Sequence, residues 1–392
     1  MISVTDALHS ISSQELHPRE EQRSVVEALG ATLSKDVYSP IDMPPFRQSA
    51  MDGYALKHSN DMNYRLIDES QAGNDASPKL NLSDAVRIFT GALVPDDADT
   101  VVIQEHVQAN GNEVSVQTMP KPFSNIREKG EQINEGGLAL VKGMQINAAA
   151  VGFLSALGLE EVSVYQKPKV GILITGNELQ SVGTSLKKGC VYESNSSMLK
   201  SALRQAGVSE VETVSVLDDL QSTKDAVKHL LNKSDILLVS GGISVGDYDF
   251  VKEALIHNKV EELFYKVNQK PGKPLWFGKK ASKFVFALPG NPASVLTCFY
   301  IYVNPMLQRW MTGKSFSSNR ILAKCTSGVA NKSGKTLFLK AILNNDGSVS
   351  PQGGQSSAMM HTYALSNVLM CVPEGKKQVH QGEEVECIKL PR

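Results

Sequence analysis

The sequence predicts a multidomain α/β protein centred on a mostly parallel, doubly wound sheet. Three observations carry this. A chain of 392 residues exceeds what one ordinary hydrophobic core supports. Between residues 167 and 316, apolar runs of strand length alternate with helix patterns, the signature of parallel strands with helices on both faces. On either side of that region lie short strand patterns parted by Gly, Asn and Pro, which read as separate β-rich parts.

In the central region, VGILIT at 170–175 is a continuous apolar run of buried-strand length. A helix pattern at 194–206 stops at Gly207. Further strands are expected at 211–217, 236–240 and 284–288, and further helices at 220–231, 249–258 and 292–306.

Residues 1–36 read as helical, with the pattern at 20–29 stopped by Gly30. Residues 137–166 turn helical again, with Asn147 as a cap and Gly158 as the stop. The split helical part is therefore placed at 1–40 plus 137–166 and the β-rich insert at 41–136. The central α/β domain covers 167–316 and a small β domain 317–392. Within the insert, strands are expected at 101–104 and 114–117, with Asn110-Gly111-Asn112 as the hairpin turn between them.

Composition narrows the chemistry. Apolar residues make up 41 % and charged residues 21 %, so a folded chain is expected rather than a disordered one. A formal net charge of −1 gives no global field toward nucleic acid or anionic lipid, so any anion site must be local. The five cysteines, Cys190, Cys298, Cys325, Cys371 and Cys387, are scattered and form no C-x-x-C. They read as packing residues in a reducing cytoplasm. The first residues lack a signal-peptide pattern, and no apolar run approaches the ~20 residues of a membrane span.

In open parallel sheets, ligands bind beyond the carboxyl ends of the strands. Those ends carry Gly176-Asn177-Glu178, Asp218-Asp219, a stretch from Ser240 through Gly241, Gly242, Ser244, Gly246 and Asp247 to Asp249, and Pro289-Gly290-Asn291-Pro292. Glycine loops that open helices let backbone N–H groups approach a phosphate. The bland reading is a set of tight strand-to-helix turns. The carboxylates would repel a phosphate unless a divalent cation lay between, and magnesium commonly takes one or two carboxylates plus phosphate oxygens. For Asp218 and Asp219, helix capping explains the residues equally well. Lys266, Lys270 and Lys273 lie in YKVNQKPGKP, where two prolines stiffen the chain. They read either as a held cationic segment for an oxyanion or as a solvated charge run. In the N-terminal half, Arg47, Ser49 and Asp52 cluster at a turn, and Thr90 follows in a second polar piece.

Eight segments occur in an order that resembles one family over nearly the whole chain. They are PPFRQSAMDGYAL, FTGALVPDDADTVVIQE, NIREKGE, VGILITGNEL, SGGISVGDYDF, NQKPGKPLWFG, FALPGNPAS and SNVLMCVPEG. The family is the MoeA molybdopterin molybdenumtransferases, related to the C-terminal half of gephyrin. The resemblance implies insertion of molybdenum from molybdate into adenylylated molybdopterin, with release of AMP and participation of Mg2+. It implies a cytoplasmic homodimer with a barrel-like C-terminal domain, whose cleft is shared between the central domain of one subunit and the insert of the other. An upstream adenylyltransferase and recipient molybdoenzymes would be its partners.

Carried onto this sequence, Asp52, Glu178, Asp249, Lys266 and Lys270 are the expected catalytic residues, with Glu178 and Asp249 at the metal. Thr90, Asp218, Asp219, Ser240, Gly241, Gly242, Ser244, Gly246, Lys273, Pro289, Gly290, Asn291, Pro292 and Ser366 are the expected substrate contacts. Two carboxylates usual in the family are amides here, Gln132 and Asn177. Two other readings compete: the single-domain adenylyltransferase that precedes this step, against which length argues, and a pterin-binding scaffold without catalysis, which the two lost carboxylates motivate.

Overall fold

The computed structural model describes residues 1–243, 250–314 and 320–391. The chain divides into two compact units, one of Met1–Glu21 with Tyr165–Arg392 and one of Gln22–Val164.

The first unit contains the doubly wound sheet. Its strands are β1 Val170–Thr175, β2 Val211–Val216, β3 Ile236–Ser240, β4 Glu261–Tyr265, β5 Trp276–Lys280 and β6 Lys283–Leu288. Their order is β2-β1-β3-β6-β5-β4. The first four are parallel, and β5 and β4 continue antiparallel. The chain leaves β1 toward β2 on one side and returns to β3 on the other. The crevice at the carboxyl ends of β1 and β3 is therefore the topological switch point.

Alternation along the strands builds two cores. Ile172, Ile174, Ile236 and Leu238 face one hydrophobic cluster, while Leu173, Leu237 and Val239 face the other. Burial on both faces explains why these strands read as unbroken apolar runs. One face is covered by α1 Val4–Ser12, α2 Asn195–Gln205, α5 Pro292–Cys298 and α6 Asn304–Thr312. The other is covered by α3 Leu220–Lys233 and α4 Val251–His257. Helix α1 starts at a capping box in which Ser3 and Asp6 satisfy each other's N–H groups. Between α5 and α6 the chain widens into a buried π turn, Phe299–Val303. The hairpin of β4 and β5 was not read from the sequence, because its charged ends, EE and KK, hide its buried middle.

Strands β7 Arg320–Cys325, β8 Thr336–Leu343, β9 Ser348–Pro351, β10 Val368–Val372 and β11 Glu384–Lys389 form the C-terminal β structure. Strand β10 pairs with both β11 and β8, so the five close into a barrel in the order β8-β9-β7-β11-β10. A two-residue strand, Gln269–Lys270, adds to it in parallel, pairing Gln269 with Thr336 and Lys270 with Leu337.

In the second unit, six strands run in the order Thr100–Ile103, Gly53–Leu56, Asp84–Ile88, Asn63–Ser70, Glu113–Val116 and Val107–Asn110. The Asn110-Gly111-Asn112 turn does join a hairpin, but its arms are Val107–Asn110 and Glu113–Val116. The apolar run near 101–104 pairs instead with Gly53–Leu56. Helix in the expected helical segments is confined to Val4–Ser12 and Ala148–Ala156. The pattern at 20–29 is not helical. Glu20–Ser24 is a strand, and residues 25–30 turn under hydrogen bonds from Val25 N–H to the Glu160 carbonyl and from Gly30 N–H to the Ile146 carbonyl. Tertiary pairing overrides the local pattern there, and Val26 and Leu29 are left exposed. Among the described residues no helix is long and apolar enough to cross a membrane. All five cysteines are free.

Leu238 in β3 is fully buried. Leu238→Ala is expected to cost ~2–5 kcal/mol. The two tryptophans of the sequence, Trp276 and Trp310, are both buried in this unit. Their fluorescence in a denaturant titration should show a lower midpoint with an unchanged slope.

Candidate functional site

The strand ends meet in a cavity of about 1120 Å³ within the first unit. Thr175, Gly176 and Glu178 enter it from β1, Asp218 from beyond β2, residues 241–243 from β3 and residues 289–291 from β6. The segment 269–274 lines it as well, bringing Lys270 and Lys273. The opposite wall comes from the barrel: Lys335, residues 337–339 and residues 355–357. The sequence reading missed this barrel wall. Its only local trace is the Gly- and Ser-rich GGQSS, because the contact joins positions some 60 to 180 residues apart.

The glycine turn after β3 is sterically enforced. Gly241 and Gly242 have φ of +96° and +58°. A Cβ on Gly241 would lie 2.5 Å from the Thr175 carbonyl oxygen, and one on Gly242 2.8 Å from Val251 Cγ2. Only glycine lets the chain pass this close to β1. Thr175 Oγ1 is buried beside this turn and has no hydrogen-bond partner among the described residues. A polar atom left so is a place where a ligand or ordered water completes the bonding. Asn195, at the start of α2, ties two strand ends together. Its Nδ2 donates to Ser240 Oγ at 3.0 Å and to the Gly290 carbonyl at 2.8 Å. The sequence reading did not single it out.

The two adjacent aspartates divide their roles. Asp219 caps α3, accepting from the Ser222 N–H at 2.7 Å. Hydrogen bonding from that amide holds its carboxyl below the usual range. Asp218 instead lines the cavity and is clamped to Asn177. Asn177 N–H donates to Asp218 Oδ2 at 3.1 Å, and Asp218 N–H donates to Asn177 Oδ1 at 3.0 Å. The amide at 177 thus closes the loop without adding a charge beside Asp218.

Other expected contacts lie outside the cavity lining. Ser366 ends the short helix Met360–Leu365, and its hydroxyl donates to the Thr362 carbonyl at 2.8 Å. The Lys266 ammonium sits 4.7 Å from the centre of the Tyr265 ring. Ser240 is occupied by Asn195, and Pro292 fills the first turn of α5, where its missing N–H costs nothing. Ser244, Gly246 and Asp249 lie outside the described residues.

Glu178 and Asp218 line the cavity together with Lys270, Lys273 and Lys335, and their carboxylates are hard oxygen donors. Among the described residues no group of three or more His, Cys, Asp or Glu gathers at one point. That donor set does not build an all-protein cage. It fits Mg2+, which takes one or two carboxylates and completes its shell with phosphate oxygens and water.

In the second unit, Asp52 and Thr90 form a closed pair. Asp52 Oδ1 accepts from the Thr90 N–H and from its hydroxyl, both at 2.7 Å. Arg87 is fixed nearby, donating to the Gly53 carbonyl at 2.8 Å and to Gln104 Oε1 at 2.7 Å. The Thr90 N–H first, its hydroxyl next and the Arg87 charge hold the Asp52 carboxyl below the usual carboxylate range. The ionised form is therefore favoured in the native state. The stability it contributes is complete above the ordinary carboxylate pKa and is lost as pH falls through the lowered native value. Thr90→Val removes one donor and should raise the Asp52 midpoint toward the ordinary value. An NMR pH titration of labelled aspartate side chains reads this directly, and an unmoved midpoint would contradict it.

Family profiles match the chain in three consecutive parts. The MoeA N-terminal region (domain I and II) matches residues 2–158. A probable molybdopterin binding domain matches 171–309, and the MoeA C-terminal region (domain IV) matches 323–390. The chain is 32 % identical to a molybdopterin molybdenumtransferase of Haemophilus influenzae, covering 98 % of each chain. It is also 32 % identical to molybdopterin molybdenumtransferase 2 of Mycobacterium tuberculosis, covering 92 % of this chain and 93 % of that one. The crystal structure of a molybdopterin biosynthesis MoeA protein from Pyrococcus horikosii superposes with a TM-score of 0.88 at 29 % identity, over 100 % of both chains. With all three regions present in order and the relatives matched end to end, the chain belongs to the MoeA family of molybdopterin molybdenumtransferases.

Proposed function

We propose that this transferase of molybdenum cofactor biosynthesis inserts molybdenum from molybdate into adenylylated molybdopterin, hydrolysing the adenylyl bond and releasing AMP. The supporting observation is the single cavity in which strand-end glycines, two carboxylates and three lysines converge. Such a set suits a substrate that carries both a phosphoanhydride and an oxyanion.

The glycine turn at 241–242 and the 289–291 loop bind phosphate oxygens through backbone N–H groups. Lys270 and Lys273, on a segment stiffened by two prolines, neutralise the pyrophosphate and the molybdate, and Lys335 adds charge from the barrel side. Glu178 and Asp249 would hold Mg2+, with Asp218 lining the cavity that Glu178 enters. When bound, the ion neutralises charge on the phosphoanhydride and polarises it toward water. Lys266 and Ser366 act at one remove, Lys266 through the turn that leads from β4 into the lysine segment and Ser366 through the barrel helix it terminates.

The functional unit in this reading is a cytoplasmic homodimer. Asp52 and Thr90 of one subunit complete the cleft of the other, which gives the ionised Asp52 a role at the reacting phosphates. The adenylyltransferase that supplies the substrate and the molybdoenzymes that take the product would be transient partners.

Purified protein given adenylylated molybdopterin, molybdate and Mg2+ should release AMP and activate an apo-molybdoenzyme. Lys270→Glu should lower AMP release by roughly 100-fold, as loss of an oxyanion donor does. Unaltered cofactor formation in that variant would refute the lysine assignment. Zero yield with retained pterin binding would favour the scaffold reading. Pyrophosphate release from ATP and molybdopterin would favour the adenylyltransferase.

A further inference from the structure

A wall that receives an anion must keep its main-chain carbonyl oxygens away from the ligand, since each carries partial negative charge. Each wall of the cavity includes a loop, 271–274 on the lysine side and 355–357 on the barrel side, and loops expose carbonyls. In each case the carbonyls are engaged by a side chain buried behind the loop.

Beneath the lysine segment lies Gln269, 1 % exposed. The buried Tyr302 hydroxyl, on the π turn, donates to Gln269 Oε1. That bond turns the amide so that Nε2 donates to the Pro271 carbonyl at 3.0 Å and reaches the Gly272 carbonyl at 3.4 Å. There is no room to rearrange, because a Cβ on Gly272 would lie 2.5 Å from Cys298 Sγ and 2.7 Å from Gln269 Nε2. Behind the barrel wall lies Lys340, 3 % exposed. Its ammonium donates to the carbonyls of Gly354, Ser356 and Met359 at 2.7, 3.0 and 3.0 Å. Three donors thus meet three acceptors, so the buried cation is fully satisfied. The Lys340 backbone completes the hold, accepting from Gln355 Nε2 at 2.8 Å and donating to Gln355 Oε1 at 3.0 Å. The same loop docks on the strand-end side: Ser357 Oγ accepts from Asn291 Nδ2 at 2.9 Å, and its carbonyl accepts from the Ala293 N–H at 3.0 Å.

We propose that Gln269 and Lys340 are positioning residues that make the two facing walls receptive to a phosphoryl or tetrahedral oxyanion. Each draws loop carbonyls onto a buried donor, so that lysine and serine side chains, rather than carbonyl oxygens, meet the ligand. This rests on the reading of the cavity as an anionic substrate site, and it assigns selectivity to donors that act through the loops they hold.

The test uses the full chain and two probes, molybdate and inorganic pyrophosphate, by isothermal titration calorimetry with thermal unfolding in parallel. Lys340→Met keeps the side-chain length and removes the donors. Tyr302→Phe removes only the hydroxyl that orients Gln269. Each should raise Kd for at least one probe about tenfold, the scale of a lost hydrogen bond to a charged or buried partner, at a temperature where the variant is fully folded. A merely structural role would lower the unfolding temperature and leave Kd at the parent value, and that result overturns the proposal. If Lys340→Met does not fold, Tyr302→Phe decides in the same terms: tenfold weaker binding supports the proposal and parent affinity overturns it. A parent chain that binds neither probe defeats the substrate assignment itself, a different outcome from a parent that binds and variants that match it.

Discussion

The cavity depends on one short stretch of hydrogen bonding. Gln269 and Lys270 pair in parallel with Thr336 and Leu337, so a segment that leaves the edge of the α/β sheet becomes a strand of the barrel. That pairing holds Lys270 and Lys273 against the barrel edge, and the bonds of Ser357 to Asn291 and Ala293 hold the opposite wall to the strand ends. Two side chains on the joint point to different tasks. Gln269 turns inward to bind the loop that follows it, and Lys270 lines the opening. The register of this two-residue strand thus keeps Gln269 at the loop it binds and Lys270 at the opening, since a slip by one residue would exchange their faces.

The parts legible in the sequence are those governed by local pattern. The parallel strands could be read because burial on both faces leaves them uniformly apolar, as in VGILIT and ILLVS. Their ends could be read as a site because chain direction alone places the carboxyl ends of parallel strands on one edge. What could not be read depends on distant partners. Residues 20–29 have the composition of a helix, yet Val25 N–H bonds to Glu160 and the Gly30 N–H that follows them bonds to Ile146. The run near 101–104 has the pattern of a hairpin arm, yet its neighbour is Gly53–Leu56. The barrel wall belongs to the same class. Nothing local to Ser357 reveals that α5 begins against it.

The aspartates show how far residue type can mislead without geometry. Asp218 and Asp219 are chemically alike and adjacent. The backbone sends one into a cap and the other into the cavity, where it is clamped by Asn177. Asn177 performs that clamping as a neutral group. The net charge of −1 hides a local gathering of charge, with Glu178, Asp218, Lys270, Lys273 and Lys335 lining one cavity.

Burial of sulfur has a consequence for metal handling. Cys298 lies beneath the lysine segment, fully enclosed, and desolvation pushes its thiol up to about 12. Cys387 is raised likewise to about 12 and Cys371 to about 11. Thiolate, not thiol, is the form that captures soft metals. Near neutral pH these three sulfurs stay in the thiol form, so they are poor ligands for a soft metal and slow to react with oxidants.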